Sequence, residues 1–361
     1  MESRLISGPH AHAPTSVGQI MQRVMVALLP ATVFGICIYG WPALYLLTVT
    51  LAAALFAEAL CLAIAGKPLR PYLTDGSAIV TAWLLAMTLP PWAPWWIGVT
   101  GAFIAIVIGK QVFGGIGQNL FNPAMVARVS LLVAFPLEMT AFIKPVPLTD
   151  RAAPGLLQSL QITFGHPPTL DAVSGATVLS HVKAELARGV SVESALEPVF
   201  DTTTALVGYM PGSLGETSAV LIALGGAFLL LRRVITWHIP VAMLGTLALL
   251  ATIFHWLNPG EYAGPMVHLF SGAAVFGAFF IATDLVTSPV TVKGQLLFGA
   301  GTGALVFIIR SWAGYPEGMG FAIMLMNACT PLIDHYIRPR VYGRDRHGQP
   351  LLSEQKSGAA K

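Results

Sequence analysis

The sequence predicts an all-α polytopic membrane protein of about ten transmembrane helices, set in two inverted five-helix repeats around an outward loop region of short helices. Three observations predict it. The first is composition: of 361 residues, 55% are hydrophobic and only 10% charged, against about 25% charged in a soluble domain. Such a chain lacks the charge to cover a globule of its size, and its mean hydropathy is +0.71. The second is where charge is missing: residues 24–57 and 76–109 carry none, and uncharged apolar stretches of this length read as membrane spans. The third is the placement of Lys and Arg. With the N-terminus inside, fourteen of them fall on inside segments, from Arg4, Arg23, Lys67, Arg70 and Lys110 to Arg338 and the tail. The short outside turns at 40–42, 90–94, 258–265 and 313–317 hold none. This bias fixes the orientation and an even span count. The net charge of +3 is too small for a surface that tracks phosphates, so no nucleic-acid partner is expected.

Each element follows from a break in the apolar pattern. Gly40-Trp41-Pro42 divides the first run into spans near 22–40 and 43–65. Pro90, Pro91 and Pro94 divide the second into 77–90 and 94–110, and a fifth apolar segment runs from Pro123 to Pro136. After the loop come 217–231, 238–257, 266–283, 295–312 and 318–335. The domain reading is therefore a first membrane repeat (1–135), an outward loop (136–216), a second membrane repeat (217–337) and an inside tail (338–361). Five spans before the loop and five after invert the second half relative to the first. Weak internal similarity agrees: Ser77-Ala78-Ile79-Val80 matches the stretch from Ser271 to Val275, and the Gly- and Asn-rich turn before the fifth span matches Gly314 to Gly318. Several segments fall short of the roughly 20 residues that a perpendicular helix needs, which points to broken helices around a midplane site. The three cysteines, Cys37, Cys61 and Cys329, lie singly in apolar runs and read as small buried hydrophobes. They form neither a disulfide framework nor an iron–sulfur ligand set.

In the loop, Val178, Leu179, Val182 and Leu186 recur at helical spacing and Gly189 ends the pattern. Asp171 or Ser174 is placed to cap this helix, which puts Thr177 in its first turn. Free N–H groups and the positive helix end favour an anion there. Gly175 and Ala176 leave the approach open for a bulky group. The plain alternative is an ordinary cap beside an exposed threonine.

Asp171-Ala172-Val173-Ser174-Gly175-Ala176-Thr177 resembles the flavin-attachment motif of the RnfD/NqrB family, with Ala172 where many relatives have Gly. The resemblance runs along nearly the whole chain. It includes the turn from Gly114 to Ala124, Trp237-His238-Ile239-Pro240, Leu269 to Ala273, Thr283 to Thr287, Arg310 to Pro316, Pro331 to Asp334, and the ending Arg338-Pro339-Arg340-Val341-Tyr342-Gly343, which matches the RnfD branch. The resemblance implies FMN joined to Thr177 by a phosphoester (phosphothreonyl-FMN), placed there by a flavin transferase. It implies a flavoprotein subunit of an ion-translocating ferredoxin:NAD oxidoreductase, coupling electron transfer to Na⁺ or H⁺ movement, with no independent catalysis by this chain. It also implies RnfA, RnfB, RnfC, RnfE and RnfG as neighbours, lipid around the spans, and a multi-pass place in the inner membrane with the loop in the periplasm. A second, non-covalent riboflavin is associated with NqrB-like subunits. Asn119 and Asn122 are the candidate contacts, since their amides offer donors and acceptors to a flavin's polar edge, while Gly114, Gly115 and Gly117 permit close backbone approach. The plain alternative for both asparagines is turn and helix capping before Pro123.

Charged residues in the spans are few: Glu58, Arg128, Asp284, Arg310 and Asp334. Each is costly at membrane depth. Arg128 is read as pairing with a carboxylate, Asp284 being one, or with a flavin-associated group. Glu58 and Asp284 are candidates for ion coupling, and Arg310 and Asp334 for ion pairs near the headgroups. The rival readings are a permease-like or a structural membrane subunit, both without flavin. No G-x-S-x-G or H-E-x-x-H motif supports a hydrolase.

Overall fold

The computed structural model describes residues 16–165, 176–315 and 317–339; among these it consists of helices and turns, with no β-strand. The expected attachment residues Asp171, Ser174 and Gly175 lie outside the described residues, as do Pro316 and 340–343 of the quoted motifs.

The first half begins with α1 (Val17–Tyr39). A reciprocal cap starts it: Gln19 N–H donates to Ser16 Oγ and Ser16 N–H donates to Gln19 Oε1, both at 3.3 Å. The helix thus opens ahead of residue 22, because the polar first turn is capped rather than loose. Next are α2 (Trp41–Ile64), the short α3 (Leu69–Leu73), α4 (Ser77–Thr88), α5 (Trp95–Phe103) with a π-helical continuation over Ile104–Gln111, and α6 (Pro123–Ala134). Pro42 and Pro123 stand in first turns, where a missing N–H costs no hydrogen bond. The loop region carries α7 (Pro136–Thr140), α8 (Leu156–Phe164), α9 (Val178–Ala187), α10 (Val192–Leu196) and α11 (Thr202–Val207). The second half holds α12 (Ala219–Leu231), α13 (His238–Leu257), the short α14 (Pro265–Phe270), α15 (Ala274–Phe276) with a π-helical continuation over Gly277–Ile281, α16 (Val292–Trp312) and α17 (Met319–Tyr336).

Four helices, α1, α2, α13 and α16, are long and apolar enough to cross a membrane. Between 28% and 39% of their apolar windows is buried inside the chain. The rest of that surface, with Leu249 and Trp256 on α13 and Leu297 on α16, faces outward. A helix in water turns such a surface inward, so its solvent is lipid or another apolar helix, and the chain is a multi-pass membrane protein. The outward faces also correct the expectation for cysteine: Cys37 and Cys329 are exposed and Cys61 is half-buried, all three free. They sit on apolar faces that look out of the chain rather than into its core.

Small residues set the closest helix pairs. Gly299 and Gly303 of α16 lie on α13, where a Cβ at Gly303 would overlap the Met243 carbonyl and one at Gly299 would stand 2.7 Å from the Ile239 carbonyl. This is the small-xxx-small spacing that lets membrane helices approach. In the first half, α2 packs on α5 through Gly98, which faces Leu46 and Thr50. The same two members of each half thus form its tightest pair.

Candidate functional site

Two cavities meet the sequence-predicted residues, and α6 joins them. Asn122 caps α6 and lines one; Arg128 lines the other. Six residues of helix separate the two, an axial rise of about 9 Å.

The first cavity is lined by Thr177, Leu179, Arg128, Leu132, Met139, Phe142, Glu216 and Glu317. Thr177 is itself the N-cap of α9, with φ −64° and ψ 155°, its Oγ1 accepting from Ser180 N–H at 3.3 Å. This moves Thr177 one step from the expected first turn: the helix begins at Val178, so Thr177 supplies the cap that Asp171 or Ser174 was expected to supply. Ala176 beside it is exposed. Val178 and Val182 bury the other face of α9 against Ala263 and Val267. Lys183 fastens it to the end of α16. Its ammonium donates to the carbonyls of Arg310 (3.2 Å), Tyr315 (3.0 Å), Ile309 (3.5 Å) and Ala313. A cation at a helix C-terminus meets the negative end of the dipole and carbonyls that the helix leaves unpaired.

Arg128 is buried in this cavity, with Met139 Sδ (3.8 Å) as its hydrogen-bond partner. Among the described residues no carboxylate lies within ion-pair distance of it. The two nearby carboxylates are otherwise engaged. Glu317 pairs with Arg310 at 3.0 Å. Glu216 accepts from Ser213 Oγ at 2.8 Å, and burial and the neighbouring Glu317 charge push its carboxyl up to about 7. An arginine so placed is a receptor for an anion. The fit to a phosphoester on Thr177 rests on this free guanidinium at a helix N-terminus.

The second cavity is partly open, with a volume of about 130 Å³. Asn119, Asn122, Ser77, Thr81, Lys110, Thr283 and Asp284 supply its polar lining, among apolar residues of α1, α4 and the stretch that follows α12. The turn before α6 takes the form its glycines predict: Gly114, Gly115 and Gly117 have φ of 116°, 108° and 85°. Asn119 donates to the Phe121 carbonyl at 3.1 Å. Asn122 does cap α6, accepting from Ala124 and Met125 N–H at 3.1 and 3.3 Å. Its amide also donates to Asp284 Oδ2 at 3.3 Å, and its backbone N–H to Asn327 Oδ1 at 3.4 Å. Capping and cavity lining therefore coexist at one residue. A mostly apolar cavity with a few convergent amides suits a flat heteroaromatic ligand with a polar edge.

Asp284 is not the partner of Arg128. It belongs to the second cavity, held by Asn122 and by Thr287 Oγ1 at 3.2 Å. Arg310 does form an ion pair, with Glu317, and Asp334 instead accepts from Val290 N–H at 3.3 Å. Sequence reasoning missed Lys110. Counted as an inside charge ending its span, it is buried, and its Nζ sits 2.9 Å from Glu58 Oε1 and 2.8 Å from Ser77 Oγ. The available signal was Glu58 itself, a lone carboxylate in an apolar helix that requires a cation. Glu317 and Glu216 were missed because both lie outside the apolar segments, Glu216 at the end of a 3-10 helix (Leu214–Glu216) and Glu317 just before α17.

The sequence profile of the NQR2, RnfD, RnfE family matches residues 4–343. The chain is 55% identical over 354 residues to the D subunit of the ion-translocating oxidoreductase complex of Halorhodospira halophila, covering 98% of this chain and 99% of that protein. Identity to the protein of the same name from Stutzerimonas stutzeri is 52% over 339 residues, 94% of this chain and 96% of that protein. For Rhodobacter capsulatus it is 53% over 304 residues, 84% of each. On this match, which spans both cavities and all the helices described, the chain belongs to the NQR2, RnfD, RnfE family.

Proposed function

We propose that the chain is the D subunit of an Rnf-type complex, a redox-driven translocase that passes electrons between ferredoxin and NAD and couples them to Na⁺ or H⁺ movement. The observation that carries this is that one short helix, α6, reaches two cavities: its Arg128 lines the one that Thr177 also lines, and its cap Asn122 lines the other together with Asn119. FMN esterified to Thr177 supplies one- and two-electron transfer. The chain's own residues would hold it: Thr177 Oγ1 would make the ester, the α9 N-terminus and Arg128 would meet the phosphate, and the small residues Ser174, Gly175 and Ala176 of the motif are read as leaving room for the flavin transferase. Asn119 and Asn122 would hold a riboflavin in the second cavity. Glu58 and Asp284 are the acidic residues for ion coupling.

The ten apolar segments are read as ten spans in two inverted repeats, which the order of elements in the two halves favours. Each half has two apolar helices, a short helix, a positive-φ glycine (Gly76, Gly272), a helix, and two further helices, although α12, which opens the second half, has 13 residues against 23 in α1. The termini then face the cytoplasm and the loop 136–216 faces the periplasm across the inner membrane, beside the RnfG subunit and with RnfA, RnfB, RnfC and RnfE completing the assembly. The test is peptide mass spectrometry of the purified complex. The tryptic peptide 152–183 carries FMN on Thr177 if the reading holds; an unmodified peptide from cells with active flavin transferase overturns it.

A further inference from the structure

Two ion pairs, one buried and one partly buried, occupy related places in the two halves. Lys110 ends the helix that begins at Trp95, and Arg310 stands near the end of α16. Each ion pair is bonded to a residue near a glycine of positive φ. Lys110 bonds Glu58 and also Ser77, which follows Gly76. The partner of Arg310, Glu317, accepts from Ala273 N–H (3.3 Å), which follows Gly272.

The hardware differs. Arg310 is locked: besides both Glu317 oxygens its fork donates to the His268 carbonyl at 2.6 Å and the Ser271 carbonyl at 3.2 Å. Lys110 is a point charge on a flexible stem with two side-chain partners, and such a group moves where a guanidinium fork does not. Glu58 Oε1 takes both Lys110 and Gln111 Nε2 (2.7 Å), whereas Glu58 Oε2 is buried with no partner. Lys110 and Ser77 line the Asn119 cavity and Glu58 does not. Asp75, which accepts from Ser77 Oγ at 2.6 Å, is the other acid on this network, and Cys61 lies beside Glu58.

We propose that Lys110 is a mobile counter-charge coupling the Asn119 cavity to Glu58: negative charge entering the cavity draws the ammonium off Glu58, and Glu58 binds one Na⁺ or one proton in its place. A buried carboxylate without a cation is strongly disfavoured, so the departure of Lys110 and the arrival of the ion are one event. The charge balances. One electron would pass from a reduced flavin or iron–sulfur centre of a neighbouring subunit to the non-covalent flavin read into the Asn119 cavity, which is oxidised again by the next centre, and one monovalent cation enters from water. If the cation is a proton, an O–H bond forms at Glu58; if Na⁺, no covalent bond changes. When the electron leaves, Lys110 returns and expels the ion. This rests on the redox reading above and gives the unpartnered Glu58 Oε2 a use.

The test is redox difference infrared spectroscopy of the purified complex, reduced with dithionite, in NaCl and in choline chloride. The expected result is a carboxyl signal that responds to reduction and is absent in Glu58→Gln. It is a deuterium-sensitive C=O band if a proton binds, and a carboxylate shift present only in NaCl if Na⁺ binds. Lys110→Arg should silence it, because the fork stays on Glu58. The double variant Lys110→Met/Glu58→Gln, which removes both charges, serves as a silent control that keeps a neutral core. A wild-type spectrum without a Glu58 signal, or a Lys110→Arg spectrum equal to wild type, overturns the proposal. Non-covalent flavin is extracted from the same samples; its absence would instead overturn the riboflavin reading of the cavity.

Discussion

Glu216 shows how one buried residue reports on its surroundings. Burial and Glu317 raise its carboxyl to about 7, while Ser213, Arg128 and Arg310 pull the other way. The folded protein therefore holds this proton more tightly than the unfolded chain does. Its stabilising contribution is full below the ordinary carboxylate value of 4.5 and is lost as pH rises through about 7. Wild-type protein in detergent should lose thermal stability between pH 5 and 8 that Glu216→Gln retains, as measured by melting at each pH. Equal pH slopes in the two proteins would contradict the assignment. An ester phosphate beside Arg128 adds negative charge to the same cavity, so attachment should push the Glu216 carboxyl further up.

Helix α9 is held by a few contacts, which makes its docking testable. Val178 and Val182 supply apolar burial, and Lys183 supplies the charge-assisted bonds to the end of α16. Such bonds contribute about 1.5 kcal/mol or more. Lys183→Met should speed amide exchange across 178–187 roughly tenfold while leaving α16 protected, and unchanged exchange would show that Lys183 does not anchor the helix. The α9 helix was legible in the sequence because Val178, Leu179, Val182 and Leu186 keep a 3.6-residue period. Its exact start was not, since Asp171, Ser174 and Thr177 all carry cap-forming side chains and compete to begin it. The turn at Gly114 to Asn122 was legible for the opposite reason: its glycines admit few other conformations. Lys110 was illegible because a lysine after an apolar run reads as the end of a span. Only the fold shows that the π-helical stretch carries it inward to Glu58.

At the scale of the whole molecule, the apolar segments and the charge asymmetry carry the topology. Lipid contact explains why large side chains such as Leu231 and Trp256 point outward, as composition alone foretold. What composition does not encode is which of the short apolar helices, such as α4, α6 and α12, cross completely, because none is long enough to span alone. The orientation has a direct check. In a background lacking Cys37, Cys61 and Cys329, a cysteine at Arg188 should react with a membrane-impermeant maleimide added outside spheroplasts, and one at Arg338 only after permeabilisation. The reverse pattern would invert the topology and place Thr177 on the wrong side for its proposed partner. The central claim is the flavin on Thr177. The measurement that meets it most directly is in-gel flavin fluorescence of the denatured protein beside Thr177→Ala. A fluorescent wild-type band that vanishes in the variant is the predicted result. A wild-type band without fluorescence, from cells with active flavin transferase, would contradict it.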